Sequence, residues 1–197
     1  MADIILHHYP TSPFSEKIRL VLGYKQLAWK SVIIPSIMPK PDVLALTGGY
    51  RKTPCLQIGA DVYCDSALIC EVLEQLQPTP ALYPAVHPGL ARVLAQWADS
   101  TLFWAAMGYT LQPRGTAAMF DGAPPEAAKA FAADRGAMTA GMTRLRPAES
   151  FGPEPTEGEL LAATRTRYTL RRVDERAGLV HVHFPRMGFT LKPAPGA

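Results

Sequence analysis

The sequence predicts a mixed α/β region, then a short all-α region, then a small C-terminal β meander. Three observations carry this reading. Within residues 1–77, short apolar runs and amphipathic runs follow the order strand, helix, strand, loop, strand, tight turn, strand, helix. Prolines 78, 80, 84 and 88 then make a stiff linker ahead of helical periodicity over residues 89–145. Residues 159–192 change period again, to the alternation of strands. The regions are therefore 1–77, 78–146 and 147–197, the last a linker and a small β appendage.

Each element has a local cause. Ile4-Ile5-Leu6 is a short strand of the fully buried kind. Pro13 to Gly23 reads as a helix with Ile18, Val21 and Leu22 on one face and Gly23 as its stop. Trp29 to Ile34 is β-branched and aromatic, hence a strand. Pro35 to Gly49 is loop with one helical turn near Val43 to Leu46. Cys55 to Ile58 and Val62 to Cys64 flank Gly59-Ala60-Asp61, a hairpin signal. Asp65-Ser66 caps a helix whose apolar residues are Ile69, Val72, Leu73 and Leu76.

Further on, Leu90, Leu94, Trp97, Thr101 and Trp104 repeat at helical spacing from Gly89 to Leu111, and Phe103 and Met107 widen the stripe. Gly115 to Pro125 breaks the pattern. An Ala-rich helix follows from Pro125 to Leu145, weakened by Gly136 and Gly141. Pro147 to Pro155 is a linker. Tyr168, Leu170 and Arg172 fall on one side of a strand, and Val180, Val182 and Phe184 on one side of another. Asp174 to Gly178 turns between them, and Gly188 to Leu191 adds a further strand.

Bulk properties narrow the function. Apolar residues make up 48% of the 197, enough for a buried core, with no run long enough to span a membrane. The N-terminus lacks a secretory pattern, so the expected location is cytoplasmic. Cys55, Cys64 and Cys70 form neither C-x-x-C nor zinc spacing, and read as buried free thiols. Residues 157–197 hold seven Lys/Arg against four Asp/Glu, which accounts for the net charge of +3. The charges are interspersed, which argues against a nucleic-acid partner. His181 and His183 share one strand face. Two histidines are a weak metal site, so a solvated face is expected and no metal.

The chemistry concentrates in three short segments. Tyr9-Pro10-Thr11-Ser12-Pro13-Phe14-Ser15 joins a strand to a helix. Pro13 suits the first helical position, where its missing N–H has no partner to lose. Helix N-termini present unpaired N–H groups and a partial positive charge, so they stabilise anions. Ser12 can therefore cap the helix or donate its O–H to an anionic sulfur or oxygen. Tyr9 is a rival hydroxyl, although its place before Pro10 suits packing. His7 and His8 end the strand and read as structural. The other segments are Arg51-Lys52-Thr53-Pro54-Cys55-Leu56, which opens a strand, and Asp61-Val62-Tyr63-Cys64-Asp65-Ser66, which opens a helix.

In this order the segments resemble the thioredoxin-like N-terminal domain of cytosolic glutathione S-transferases. Ser12-Pro13-Phe14-Ser15 is similar to the active-site turn of their serine-type classes. Lys52-Thr53-Pro54 is similar to the segment with their cis-proline, and Asp65-Ser66 to their γ-glutamyl-binding pair. Ala81-Leu82-Tyr83-Pro84 resembles their interdomain linker. The resemblance spans residues 3–112.

The resemblance implies an enzyme that conjugates the glutathione thiolate to an apolar electrophile, with the Ser12 hydroxyl stabilising that thiolate. It implies that Phe14, Lys52, Thr53, Pro54, Asp65 and Ser66 bind glutathione as co-substrate. Phe103, Trp104 and Met107 would line an electrophile pocket, a spacing that equally suits interdomain core. It also implies a homodimer. The alternative is a non-catalytic glutathione- or peptide-binding module derived from a transferase. Ser12 and Ser15 stand where redox members of this fold carry C-x-x-C, which excludes disulfide exchange at the turn. One departure is plain: after residue 146 a β meander stands where the family has more helices, so the helical domain is truncated.

Overall fold

Strand β1, Ile4–His8, begins the chain's sheet. The turn after it feeds helix α1, Pro13–Tyr24. Strand β2, Lys30–Ile33, and helix α2, Pro41–Thr47, follow. The hairpin is β3, Cys55–Ile58, with β4, Asp61–Cys64, and helix α3, Ser66–Leu76, comes next. A helical stretch consists of α4, Pro88–Trp97, a π-type segment over Ala98–Leu102, and α5, Phe103–Thr110. Helix α6 covers Pro125–Thr139. Strands β5, Glu159–Ala163, β6, Arg167–Asp174, and β7, Gly178–Pro185, follow. The structure, a computed structural model, describes residues 2–110, 120, 122, 124–139, 155–186 and 189–194.

The seven strands among the described residues form one sheet in the order β2-β1-β3-β4-β7-β6-β5. β1 runs parallel to β2 and antiparallel to β3, which pairs antiparallel with β4. β4 then pairs in parallel with β7 through Asp61–His181, Val62–Val182 and Tyr63–His183. By contacts the chain divides into Met1–Leu82 with Glu154–Ala197, and Tyr83–Pro153. The C-terminal strands, expected as an appendage, thus continue the N-terminal sheet. Alternation identifies a strand but not its neighbour, so the sequence could not show where β7 docks.

Two apolar layers sandwich the sheet. On one face Ile18 and Leu22 of α1 and Leu68, Ile69, Val72 and Leu73 of α3 pack on Ile4, Leu6 and Leu56. On the other, Val43 and Leu46 of α2 join Tyr50, Cys55, Val62, Cys64, Leu170, Val180, Val182 and Phe184. The C-terminal strands therefore supply much of the second layer. Tyr50 and Phe184 meet edge-on, centroids 5.8 Å apart. Polar contacts repeat the attachment. Arg172 Nη1 donates to the Ala45 carbonyl at 3.2 Å, and Arg176 Nη2 to Asp42 Oδ1 at 2.8 Å. Gly48, at φ +75°, ends α2, and a Cβ there would collide with the Arg172 guanidinium.

A buried ammonium fixes the lower end of α1 and α3. Lys25 is ion-paired with Glu74, and its Nζ donates to the carbonyls of Gln77 at 2.7 Å and Pro80 at 2.6 Å. Burying a charge costs several kcal/mol unless it is paired and hydrogen-bonded, about what is supplied here. Glu74 also accepts from the Leu82 N–H at 3.0 Å, so the start of the linker belongs to this clamp.

Several expectations shift. Gly23 does not stop α1, which runs to Tyr24; the left-handed residue is Gln26, at φ 54°. The single turn near residues 43–46 is a full short helix. Residues 189–191 form no strand; Phe189 instead packs beside Tyr50 and Phe184. His181 and His183 are not a solvated face. His183 is 7% exposed, stacks on Tyr63 at 4.6 Å, and lies between Asp61 Oδ1 at 2.9 Å and Thr169 Oγ1 at 3.1 Å. The helix end at Leu111, the break from Gly115, the residues of the second helix after Thr139, and the linker at 147–154 lie outside the described residues.

Two expectations follow from this packing. Phe184→Ala costs about 3–5 kcal/mol, the range for a truncated core aromatic, because it empties the joint between α2 and β7. Urea unfolding measures it, and a wild-type midpoint would show that β7 is not part of the cooperative core. The second concerns pH. Burial holds His7, His8 and His183 below the ordinary histidine value, opposed in part at His7 by Gln57 and at His183 by Asp61. The folded state keeps these rings neutral while the unfolded chain takes up protons below about pH 6.5, so stability is present above that pH and lost on acidification through it. Calorimetry at pH 7.5, 6.5 and 5.5 should show a falling melting temperature; an unchanged one contradicts this.

Candidate functional site

Strand register gathers the three chemical segments. His7 of β1 lies opposite Cys55 of β3, and Cys55 lies opposite Cys64 of β4. The turn after β1, the segment before β3 and the turn after β4 therefore leave the sheet at one end. Ser12, Thr53-Pro54 and Asp65-Ser66 sit on those connections. β7 runs parallel to β4, so the tail after it returns to the same end. Phe189 there lies 6.0 Å from Lys52 Nζ.

Ser12 is the N-cap of α1, in extended backbone, with Pro13 at the first helical position. Its Oγ accepts from the Ser15 N–H at 3.2 Å, and its own N–H donates to the Tyr9 carbonyl at 3.3 Å. Accepting that bond leaves the hydroxyl hydrogen available as a donor. Ser12 is 3% exposed, so any ligand must come down onto it. Phe14 beside it is half-buried. The turn is braced from α1: Arg19 Nη2 donates to the Pro10 carbonyl at 3.0 Å and is ion-paired with Glu16. Arg19 Nη1 also bonds His8 Nδ1 at 2.9 Å. Arginine only donates, so Nδ1 accepts, and Nε2–H donates to Ser31 Oγ at 2.8 Å. His8 is held by these bonds on both ring nitrogens, and His7 Nε2 is bonded to Gln57 Oε1 at 3.0 Å. Ser15 Oγ and His7 Nδ1 are buried with no hydrogen-bond partner.

The second segment is held by a lysine that no sequence motif marks. Lys40 is 3% exposed, and its Nζ donates to the Arg51 carbonyl at 2.8 Å and to Thr53 Oγ1 at 2.9 Å. It also lies 5.4 Å from the Tyr9 ring centroid, which accounts for a partly buried Tyr9 acting as packing. The Thr53–Pro54 peptide is cis. Lys52, expected at a ligand carboxylate, has its Nζ 6.0 Å from the Phe189 ring centroid. The only trace of Lys40 in the sequence is its place before Pro41 at a helix start.

The third segment pairs opposite charges. Asp65 stands at φ 81°, unusual for a residue other than glycine, and its Oδ1 caps α3 through the Ala67 N–H at 2.8 Å. Ser66 is 6% exposed, and its Oγ accepts from Lys17 Nζ at 3.2 Å. Beneath them burial pushes the Tyr50 phenol and the Cys64 thiol well above their ordinary ranges, so neither is a nucleophile near neutral pH. Cys55, Cys64 and Cys70 are free and buried.

Phe103, Trp104 and Met107, the expected pocket residues, are half-buried on α5, and Phe103 meets Trp104 edge-on at 4.9 Å. Leu90, Leu94 and Trp97 of α4 are exposed. Among the described residues no group of three or more His, Cys, Asp or Glu side chains is arranged to hold a metal. Nor is any described helix long and apolar enough to cross a membrane.

A mixed sheet with helices on both faces, a Ser-Pro helix start and a cis-proline segment define a thioredoxin-like domain. Residues 6–81 match the family model of the glutathione S-transferase N-terminal domain. The chain is 36% identical to a GST-like protein from Pseudomonas syringae whose crystal structure it matches with a TM-score of 0.72, over 95% of this chain and 98% of that one. It therefore belongs to the glutathione S-transferase family. It is also 37% identical over 76 residues to pyrimidodiazepine synthase of Drosophila melanogaster, which is 36% of this chain and 31% of that protein. The chain thus spans about a third of that curated relative. A glutathione S-transferase from Rhodospirillum rubrum F11 is 30% identical, with a TM-score of 0.45 over 49% of this chain and 44% of that one.

Lys40→Met removes both donors from the second segment and strands a carbonyl, an expected loss of about 1–3 kcal/mol. Denaturant unfolding reads it, and wild-type stability would show that the segment does not depend on Lys40.

Proposed function

We propose that this protein is a serine-type glutathione transferase in which Ser12 holds the glutathione sulfur as a thiolate. Family membership supports a glutathione transferase-type function. The observation behind the finer reading is the state of Ser12: its oxygen accepts from the Ser15 N–H, which leaves its hydrogen available to an anion at the positive end of α1.

The magnitudes suffice. A free thiol of pKa about 8.5 is a few per cent ionised at neutral pH, and lowering it by two units takes about 2.7 kcal/mol. A hydrogen bond from a hydroxyl to an anion contributes about 1.5–3 kcal/mol, and a helix N-terminus about 0.3–1. The thiolate attacks the electrophilic carbon, the C–S bond forms, and a leaving group such as halide departs with the bonding electrons. Asp65 and Ser66 take the γ-glutamyl head, and the Thr53 backbone pairs with the cysteinyl unit in the manner of an added strand. Phe14, Pro54 and Lys52 border the ligand, and Phe103, Trp104 and Met107 are the proposed contacts of the electrophile. The reading places the activity in the cytoplasm and in a homodimer.

The burial of Ser12 favours one rival, a module that binds glutathione without chemistry. Conjugation of an activated aryl halide separates them. Ser12→Ala should lower kcat/KM about 10–100-fold and move the thiol ionisation in the pH–rate profile up by about one to two units. If wild type and Ser12→Ala are equally inactive yet both stay on glutathione resin, the module reading stands.

A further inference from the structure

We propose that the free edge of β5 is an association surface for a second copy of this chain, the two β5 strands pairing antiparallel about a two-fold axis at Leu161. β6 and β7 separate this edge from the strands that carry the candidate site, and the surface does not depend on the thiol chemistry.

β5 is the outermost strand on the C-terminal side of the sheet, so among the described residues one row of its backbone N–H and C=O groups has no strand beside it. Sheet edges are usually blunted by lysine, by proline or by a covering element. The opposite edge, β2, begins at Lys30 and is followed by Pro35. β5 holds neither residue type: it reads Glu159-Leu160-Leu161-Ala162-Ala163. Glu159, its one charge, is already ion-paired with Arg171 of β6 at 2.9 Å. Leu160 is 44% and Leu161 48% exposed. Leu161 also falls in a bulge, where it stands opposite no residue of β6.

The charges around that strand select a second copy as the partner. Glu157 lies four residues before Leu161 and Arg165 four residues after it, in the turn that the Thr164 N–H closes on the Arg167 carbonyl at 2.9 Å. Both are exposed, and neither has an ion-pair partner among the described residues. Antiparallel pairing about Leu161 sets the segment before β5 of one copy beside the turn after β5 of the other. Glu157 of each copy then meets Arg165 of the other, at both ends of the interface. Leu161 meets its own equivalent, and Leu160 meets Ala162. A parallel alignment would instead set Glu157 against Glu157 and Arg165 against Arg165, so the charges fix direction as well as register. Exposed ion pairs contribute little, so backbone bonds and the leucines carry the affinity. A strand this short makes a small interface, and the association is weak and concentration-dependent.

The test uses the full chain and two readouts. Sedimentation over a range of concentrations measures association of wild type, Glu157→Arg, Arg165→Glu and the variant with both changes. Either single reversal sets like charges together at both ends and should weaken association about tenfold, and the double reversal should restore it. In the second readout Leu161→Cys is oxidised with diamide. Cys55, Cys64 and Cys70 are buried, so the introduced thiol is the exposed one, and it lies on the axis next to its equivalent. Leu161→Cys should cross-link to a dimer, whereas Val173→Cys, at an exposed position of β6, should not. A wild type that stays single over the whole range overturns the proposal. Association that ignores the single reversals marks a dimer built on another surface and overturns it too. So does a double reversal that stays as weak as the singles, or equal cross-linking of the two cysteine variants, which marks random collision.

Discussion

Three short strands position everything else. His7, Cys55 and Cys64 stand in one line across β1, β3 and β4, and the chain leaves the sheet at the same end on each. A slip of one residue in any of these pairings would turn the side chains to the opposite face and carry its connection away from the others. The register is fixed by burial on both sides. Leu56 belongs to the layer under α1 and α3, and Cys55 and Val62 to the layer under α2. A shift would bring polar Gln57 or Asp61 into an apolar layer, at several kcal/mol each without partners. The site is a product of core packing on elements that never touch a ligand.

What was legible in the sequence was local. The Ser-Pro helix start, the hairpin around Gly59 and the Asp65 cap depend on neighbours within a few residues, and all stand where the residues say. What was not legible depends on distant partners. Lys40 is an ordinary surface lysine in sequence, and only the return of the chain at Thr53 buries it. Lys52 reads as a contact for a ligand carboxylate, and that its ammonium lies near an aromatic ring of the tail could not be seen in the sequence. Lys17 was invisible for the same reason, since Ser66 lies 49 residues away. His183 read as solvated because alternation cannot tell that Tyr63 will cover one side of its strand.

The charges follow a common rule at both ends of the first unit. Lys25 and Lys40 are buried ammoniums, and Lys25 binds two backbone carbonyls, Lys40 one carbonyl and a hydroxyl, of segments without regular structure. Lysine suits this because its compact head carries three donors that can meet carbonyls approaching from different directions. Helices and strands satisfy their own carbonyls; the turns here are satisfied by a long side chain sent from elsewhere.

The parallel seating of β7 beside β4 bears on synthesis. β4 leaves the ribosome early, whereas its neighbour β7 emerges only after more than a hundred further residues have been added. Until then one flank of β4 has no backbone partner, and Tyr50, Val62 and Cys64 lack the cover that Val180, Val182 and Phe184 supply. Nascent chains generally mature from the first domain onward. This chain must keep its first half waiting for its last, and the interval is a window in which an unpaired strand is open to chaperones and to aggregation.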